Sequence, residues 1–285
     1  MLLAVVLAGG AATRLPGKLA TVAKHGEKLL RHVVRVASLV ADEVVVVARG
    51  YDPRWGLHRY VTVYDDPFFY GKCAGPLAGI LSALGESRAW RVLVLSGDYG
   101  LVTPMVIEAL VEAHRGRDTA TILWCNGLIE PLLTVTSRST LERVKTLCRT
   151  SPGLKPRPTL VHRLAETLLL LPISHLAVDP VLLASINTPW DLVTPRPKAR
   201  AACRMEPRVH KPPLASLPFG RLGEPNVLLA EARYWLEHNV NHLALHAALD
   251  AEALGATGAE ALAREARGRL GLERLHQGSV ARKGH

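Results

Sequence analysis

The sequence predicts a doubly wound α/β domain with a mostly parallel, Rossmann-like sheet, followed by a C-terminal helical extension. Three observations carry this. Short β-branched runs alternate with helical stretches up to about residue 192, the pattern of strands joined by crossover helices. The runs 44–47 and 92–95 are Val-rich and apolar throughout, as strands covered on both faces are. Beyond residue 192 the alternation stops and alanine- and leucine-rich stretches take over.

In chain order, strands are expected over residues 2–7, 43–48, 60–64, 92–95, 120–124 and 131–136, with helices over 27–40, 79–84, 103–114 and 139–148. Residues 1–192 are therefore read as one domain. Six prolines (Pro195, Pro197, Pro207, Pro212, Pro213, Pro218) then fall within 193–223, and 193–221 holds seven basic residues against Glu206 alone. That composition reads as an extended basic linker. Residues 224–285 follow as a small helical extension, with helices over 225–253 and 258–275. At about 60 residues it is small for independent stability, and it is read as dispensable for the chemistry.

With 285 residues, 48% of them hydrophobic, the chain can bury one large core, or one core and a small satellite. No stretch reaches the roughly 18–20 consecutive apolar residues that span a bilayer. Met1 leads straight into the first strand with no basic leader, so a cytoplasmic protein without a membrane partner is expected. The net charge of +10 divides evenly, +5 over residues 1–192 and +5 over 193–285. Such charge suits phosphorylated small molecules as well as RNA, and often serves only solubility. The four cysteines, Cys73, Cys125, Cys148 and Cys203, lie far apart without zinc spacing, and are read as reduced core or surface residues. Gln277 is the only glutamine, a bias that suits thermophiles, in which intracellular disulfides also occur.

Four segments carry candidate chemistry. The first strand ends in Leu7-Ala8-Gly9-Gly10, followed by Arg14 and Lys18. Consecutive glycines let backbone N–H groups surround phosphate oxygens that a β-carbon would obstruct, and Arg14 and Lys18 add fixed positive charge. Asp98 in Ser96-Gly97-Asp98 follows another strand, on the edge where open α/β sheets bind ligands. A carboxylate there holds Mg²⁺ against phosphates, or caps a turn. Gly75-Pro76-Leu77-Ala78-Gly79, preceded by Asp65 and Asp66, opens a helix and either cradles a ligand or packs tightly. Asn187-Thr188-Pro189-Trp190-Asp191-Leu192 contains helix-start chemistry in Thr188 and Pro189.

In this order and spacing, the four segments resemble the molybdenum cofactor guanylyltransferase family, within the wider group of GGxGTR-type nucleotidyltransferases. The resemblance covers about residues 1–192. The family's LAGG-x-x-x-R and lysine match Leu7, Ala8, Gly9, Gly10, Arg14 and Lys18, and its GPLAG segment is intact at Gly75–Gly79. Its metal-binding aspartate matches Asp98, and its NTP-x-DL segment matches 187–192. The resemblance implies a nucleotidyltransferase fold that binds GTP or another NTP with Mg²⁺ and transfers GMP to a phosphorylated, molybdopterin-like acceptor, releasing pyrophosphate. It implies Arg14, Lys18 and Asp98 as catalytic residues, and Leu7, Ala8, Gly9, Gly10, Lys18, Arg49, Asp65, Asp66, Gly75 and Asp98 as the nucleotide site. Glu130, Pro131 and Asn187 fall on the acceptor side.

The chain departs from the pattern in three places. Leu15-Pro16-Gly17 shortens the loop before Lys18, Arg49 stands where the family has asparagine, and Gly97 and Gly100 replace the usual residues around Asp98. Cobinamide phosphate or a sugar phosphate therefore remains an alternative acceptor, with guanylyl or cytidylyl transfer. A non-catalytic basic RNA- or partner-binding protein on the same scaffold is the other alternative, although Lys18 and Asp98 are both retained, and a nucleic-acid partner is not expected. His238, His242 and His246 recur every four residues, and are read as packing or solvated side chains rather than a metal stripe.

Overall fold

A computed structural model describes residues 1–9, 17–21, 26–48, 50, 52–57, 61–63 (backbone), 73, 75–150, 154–155, 157–199, 203 and 205–272. Its strands are β1 (Leu2–Leu7), β2 (Glu43–Val47), β3 (Val61–Val63), β4 (Arg91–Ser96), β5 (Thr119–Leu123), β6 (Ile129–Ser137), β7 (Leu168–Pro172) and β8 (Arg208–His210). Its α-helices are α1 (Leu29–Ser38), α2 (Pro76–Ala83), α3 (Pro104–Ala113), α4 (Arg138–Thr150), α5 (Leu160–Arg163), α6 (Pro189–Val193), α7 (Pro225–Glu237), α8 (Asn241–Ala253) and α9 (Ala259–Leu270).

The strands form one sheet in the order β3-β2-β1-β4-β6-β5-β7-β8. β3, β2, β1 and β4 run parallel, β6 is antiparallel to both β4 and β5, β7 runs parallel to β5, and β8 is antiparallel to β7. The expected mostly parallel sheet is therefore present. After β3 the chain crosses to the other side of β1, so β1 and β4 flank the switch point of the strand order. A crevice at the carboxyl ends of two such strands is where open α/β sheets take ligands.

The core lies on both faces, for the reason the Val-rich runs suggest. Leu2, Ala4 and Val6 of β1 pack with Leu30, Val33 and Val34 of α1 and Ile107 and Leu110 of α3. Leu3, Val5 and Leu7 pack with Leu77, Ile80 and Leu81 of α2 and Leu141 and Val144 of α4. Alternating side chains of one strand thus serve two helical layers. The helix α2 approaches closely at Gly79, where a β-carbon would stand 3.1 Å from Leu7 Cδ2 and Val47 Cγ1. The second glycine of Gly75–Gly79 is a packing residue.

Three expectations are corrected. First, residues 193–223 are not an extended tether throughout. Arg208–His210 pair with Leu168–Leu170 of β7, and Leu214 and Leu222 are fully buried beside α2 and α4 residues. Proline count alone does not reveal that a short edge strand and two leucines find partners.

Second, the helical extension does not stand off the core. Ala232, Trp235, Leu243 and Ala263 pack with Leu123, Leu168 and Leu170 of the sheet. Arg163, which is 1% exposed, pairs with Glu231 at 2.6 Å and Asp250 at 2.6 Å. The span 225–253 is also two helices. It breaks at Asn239, whose φ is +57°, a region that asparagine tolerates better than most residues. The break lets Asn241 Nδ2 donate to Asn126 O at 2.7 Å and the His242 N–H to Gly127 O at 3.1 Å.

Third, the cysteines form two disulfides, Cys73–Cys148 and Cys125–Cys203, with Cα separations of 5.4 and 5.8 Å. Partners 75 and 78 residues apart leave no short-range spacing to read.

Candidate functional site

At the switch point, backbone hydrogen bonds bring the strand ends together. The Ala8 N–H donates to Val47 O at 2.8 Å, and the Gly97 N–H donates to Leu7 O at 2.9 Å. Gly9 and Asp98 therefore leave neighbouring strands at the same edge. Glycine suits position 97, because a β-carbon would lie 3.1 Å from both Leu7 O and Leu30 Cδ1, tighter than an ordinary contact. Gly100 has a similar reason: a β-carbon would meet Leu29 Cδ2 at 2.3 Å and Ile186 Cγ1 at 3.3 Å. Two departures from the family pattern are thus compensated by close packing of β1, α1 and the 186 loop.

Gly17 takes a φ of +69° and opens a short 3₁₀ turn, Lys18–Ala20, a conformation glycine adopts without strain. The Lys18 ammonium donates to Asp98 Oδ2 at 3.1 Å and to Asn187 Oδ1 at 3.0 Å. The side chains of Lys18 and Asp98 are 18% and 16% exposed, so the pair lines the surface without being dissolved in it.

Asn187 is held by its own segment. The Ile186 N–H donates to Asp98 O at 2.9 Å, tying the loop to the end of β4. Thr188 and Asp191 form a reciprocal capping box at α6. Asp191 Oδ2 also accepts from the Asn187 and Thr188 N–H groups at 2.9 and 2.7 Å. Burial acts to raise the Asp191 carboxyl, but these hydrogen bonds outweigh it and hold it below its ordinary value. The helix cap and the site thus share one carboxylate.

The structure therefore brings together Leu7, Ala8, Gly9, Lys18, Asp98 and Asn187. Gly75 caps α2 with φ +62°. Gly10, Arg14, Arg49, Asp65 and Asp66 lie outside the described residues. On the acceptor side, Pro131 is half-buried and Glu130 is buried. Glu130 Oε2 accepts from the Tyr99 hydroxyl at 2.6 Å and from Lys198 Nζ, and Oε1 accepts from the Trp124 indole at 2.6 Å. Tyr99, Trp124 and Lys198 were not legible in the sequence. Tyr99 adjoins Asp98, and that adjacency was the only available signal.

The donor set fits a hard divalent cation. Mg²⁺ is commonly held by one or two carboxylates, with water and substrate phosphates completing its shell, and Asp98 supplies one carboxylate beside the Asn187 amide oxygen. Among the described residues no group of three or more His, Cys, Asp or Glu could hold a metal by themselves. The tail histidines pack instead: His238 contacts Tyr234 O at 2.7 Å, His242 Ile129 O at 3.3 Å and His246 Thr159 Oγ1 at 2.6 Å. No helix among the described residues is long and apolar enough to cross a membrane.

Residues 4–167 match the family described as the MobA-like NTP transferase domain. The molybdenum cofactor guanylyltransferase of Pseudomonas entomophila is 30% identical over 142 residues, which cover 50% of this chain and 73% of that relative. A probable molybdenum cofactor guanylyltransferase of Methanosarcina acetivorans is 28% identical over 199 residues, or 66% of this chain and 87% of the relative. Among solved structures, the molybdopterin-guanine dinucleotide biosynthesis protein A of Archaeoglobus fulgidus has a TM-score of 0.51 and 25% identity, covering 68% of this chain and 95% of that one. CMP:2-keto-3-deoxy-manno-octonic acid synthetase, solved with CTP, shares the fold at a TM-score of 0.51 and 16% identity, over 67% of this chain and 95% of that one.

Proposed function

Because the chain belongs to the MobA-like NTP transferase domain family and is a nucleotidyltransferase, we propose that it transfers GMP from GTP to the phosphate of a molybdopterin-type acceptor and releases pyrophosphate. The observation that carries this reading is the meeting of Lys18, Asp98 and Asn187 at the switch point of the sheet. The relatives named as molybdenum cofactor guanylyltransferases support the choice of nucleotide and acceptor.

In the proposed reaction an acceptor phosphate oxygen attacks the α-phosphorus. The bond from that phosphorus to its bridging oxygen breaks, and pyrophosphate carries the electron pair away. An acceptor phosphate is already anionic at neutral pH, so alignment and charge neutralisation carry the catalysis rather than acid–base chemistry. An ammonium has three N–H donors. Asp98 and Asn187 take two of those on Lys18, and the third serves a phosphate oxygen. Gly9 and Gly10 offer backbone N–H groups, and Arg14 adds a second cation. Asp98 would hold Mg²⁺, which supplies charge neutralisation across the triphosphate when bound. Arg49, Asp65, Asp66 and Gly75 would complete the nucleoside side, and Pro131 and Asn187 the acceptor side, with Glu130 buried.

The test is product formation from labelled GTP, CTP, ATP and UTP, each with Mg²⁺ and molybdopterin, separated by thin-layer chromatography. A dinucleotide product from GTP alone is expected. Product from CTP alone would overturn the choice of base. Formation of product only when cobinamide phosphate or a sugar phosphate replaces molybdopterin would overturn the choice of acceptor.

A further inference from the structure

Lys198 lies beyond the family-matched residues 4–167, in the segment that the sequence marks as a linker, yet it reaches a buried group beside the site. Glu130 is 1% exposed. The Tyr99 hydroxyl and Trp124 indole are its neutral donors, and the Lys198 ammonium is its cation. The same ammonium donates to the Tyr99 hydroxyl oxygen at 3.1 Å and stands 4.8 Å from the centroid of the Tyr99 ring. Its segment is fastened nearby, because Cys203 is bonded to Cys125, the residue after Trp124.

Tyr99 connects this cluster to the chemistry. It follows Asp98 directly, its N–H donates to Ser96 O at 3.3 Å, and its carbonyl accepts from the Val102 N–H at 3.1 Å. The ring is 1% exposed. The turn carrying Asp98 is therefore held from inside the protein by a phenol, which is in turn held by Glu130 and Lys198. The hydroxyl donates its hydrogen to Glu130 Oε2 at 2.6 Å, so the phenol is committed to that carboxylate. Without Lys198, Glu130 would be a buried carboxylate with, among the described residues, neutral donors alone. A buried charge is costly without its cation and must shift toward water, which disturbs the hydroxyl that anchors the turn.

We propose that Lys198 is a positioning residue for nucleotidyl transfer, setting the Asp98 carboxylate by neutralising Glu130 and anchoring Tyr99. This rests on the nucleotidyl-transfer reading above. A misplacement of about 1 Å at a reacting centre costs on the order of 10²-fold in rate, so a role of this kind acts on turnover more than on nucleotide capture.

The test uses the full chain with Lys198→Met and Lys198→Arg. Steady-state transfer gives kcat and the KM for GTP. Mn²⁺ binding in the presence of GTP, followed by electron paramagnetic resonance, reads the Asp98 turn without turnover. Lys198→Met is expected to lower kcat by about 10- to 100-fold and weaken Mn²⁺ about tenfold, with the KM for GTP within about threefold of wild type. Lys198→Arg keeps the charge and should restore most of both. A kcat and Mn²⁺ affinity within about twofold of wild type in Lys198→Met would overturn the proposal, as would a loss that Lys198→Arg does not rescue in a folded protein. Should the wild-type chain bind Mn²⁺ with GTP yet transfer nothing, the function reading fails, while the Mn²⁺ measurement still decides the role of Lys198.

Discussion

Arg163→Met is the sharpest probe of how the C-terminal helices are held. The guanidinium donates through Nε and Nη2 to the two oxygens of Glu231 at 2.8 and 2.6 Å, and through Nη1 to Asp250 Oδ2 at 2.6 Å. Arg157 supplies a second cation to Asp250 at 3.0 Å, so two cations face two fully buried carboxylates. Arg163→Met removes one cation and leaves Glu231, among the described donors, with the Trp235 indole at 3.2 Å. A buried charge deprived of its partner costs about 3–5 kcal/mol. That is a large part of a total stability of roughly 5–15 kcal/mol. Glu231→Gln strands Arg163 less completely, because Asp250 remains, and should cost about 2–3 kcal/mol. The double variant removes both charges, leaves the Arg157–Asp250 pair whole, and should cost clearly less than the two singles added together. Urea unfolding followed by circular dichroism gives each value. Singles within about 1 kcal/mol of wild type, or a double variant equal to their sum, would refute the reasoning.

Three other perturbations follow from the same geometry. Asp98→Asn keeps the shape but removes the anionic oxygen that Lys18 contacts, and should lower turnover by about 10²-fold, the scale of losing one electrostatic anchor; wild-type turnover would return Asp98 to a turn residue. Burial, the largest cause for each, lowers His162 to about 3, His242 to about 4 and His246 to about 2, so the unfolded chain takes up protons that the folded chain refuses. Stability should be level above pH 6.5 and fall below it, with His162 alone contributing a loss of about 2 kcal/mol by pH 5 and the partly exposed pair less; a melting temperature unchanged between pH 7 and pH 5 would count against this. A chain ending at residue 193 should be insoluble, since it bares Leu168, Leu170 and Arg163; a soluble product with wild-type GTP affinity would show the extension to be detachable.

Much of the site was legible because its parts follow strands directly. Gly9 after β1 and Asp98 after β4 are placed by strand register, and register follows from which apolar runs lie side by side. Asn187 was visible as part of a motif, but its hydrogen bond to Lys18 spans 169 residues, and no local pattern predicts a contact so distant. β7, a leucine run at 168–171 closed by Pro172, is not legible as a strand, because a short apolar stretch without β-branching does not distinguish strand from helix.

The sequence by itself determined the α/β class, the glycine-rich turn, the lysine and aspartate of the candidate site, and the family. These rest on residue type and short spacing, which the chain displays locally. Only the tertiary structure decided that the described residues between 193 and 272 belong to the body of the protein. Lys198 meets Glu130 across 68 residues, Arg163 meets Asp250 across 87, and Cys125 meets Cys203 across 78. A lysine, an arginine and a cysteine in a polar or helical stretch look the same whether they face water or a buried carboxylate or thiol. The partner that distinguishes the two cases arrives only when the chain folds back upon itself.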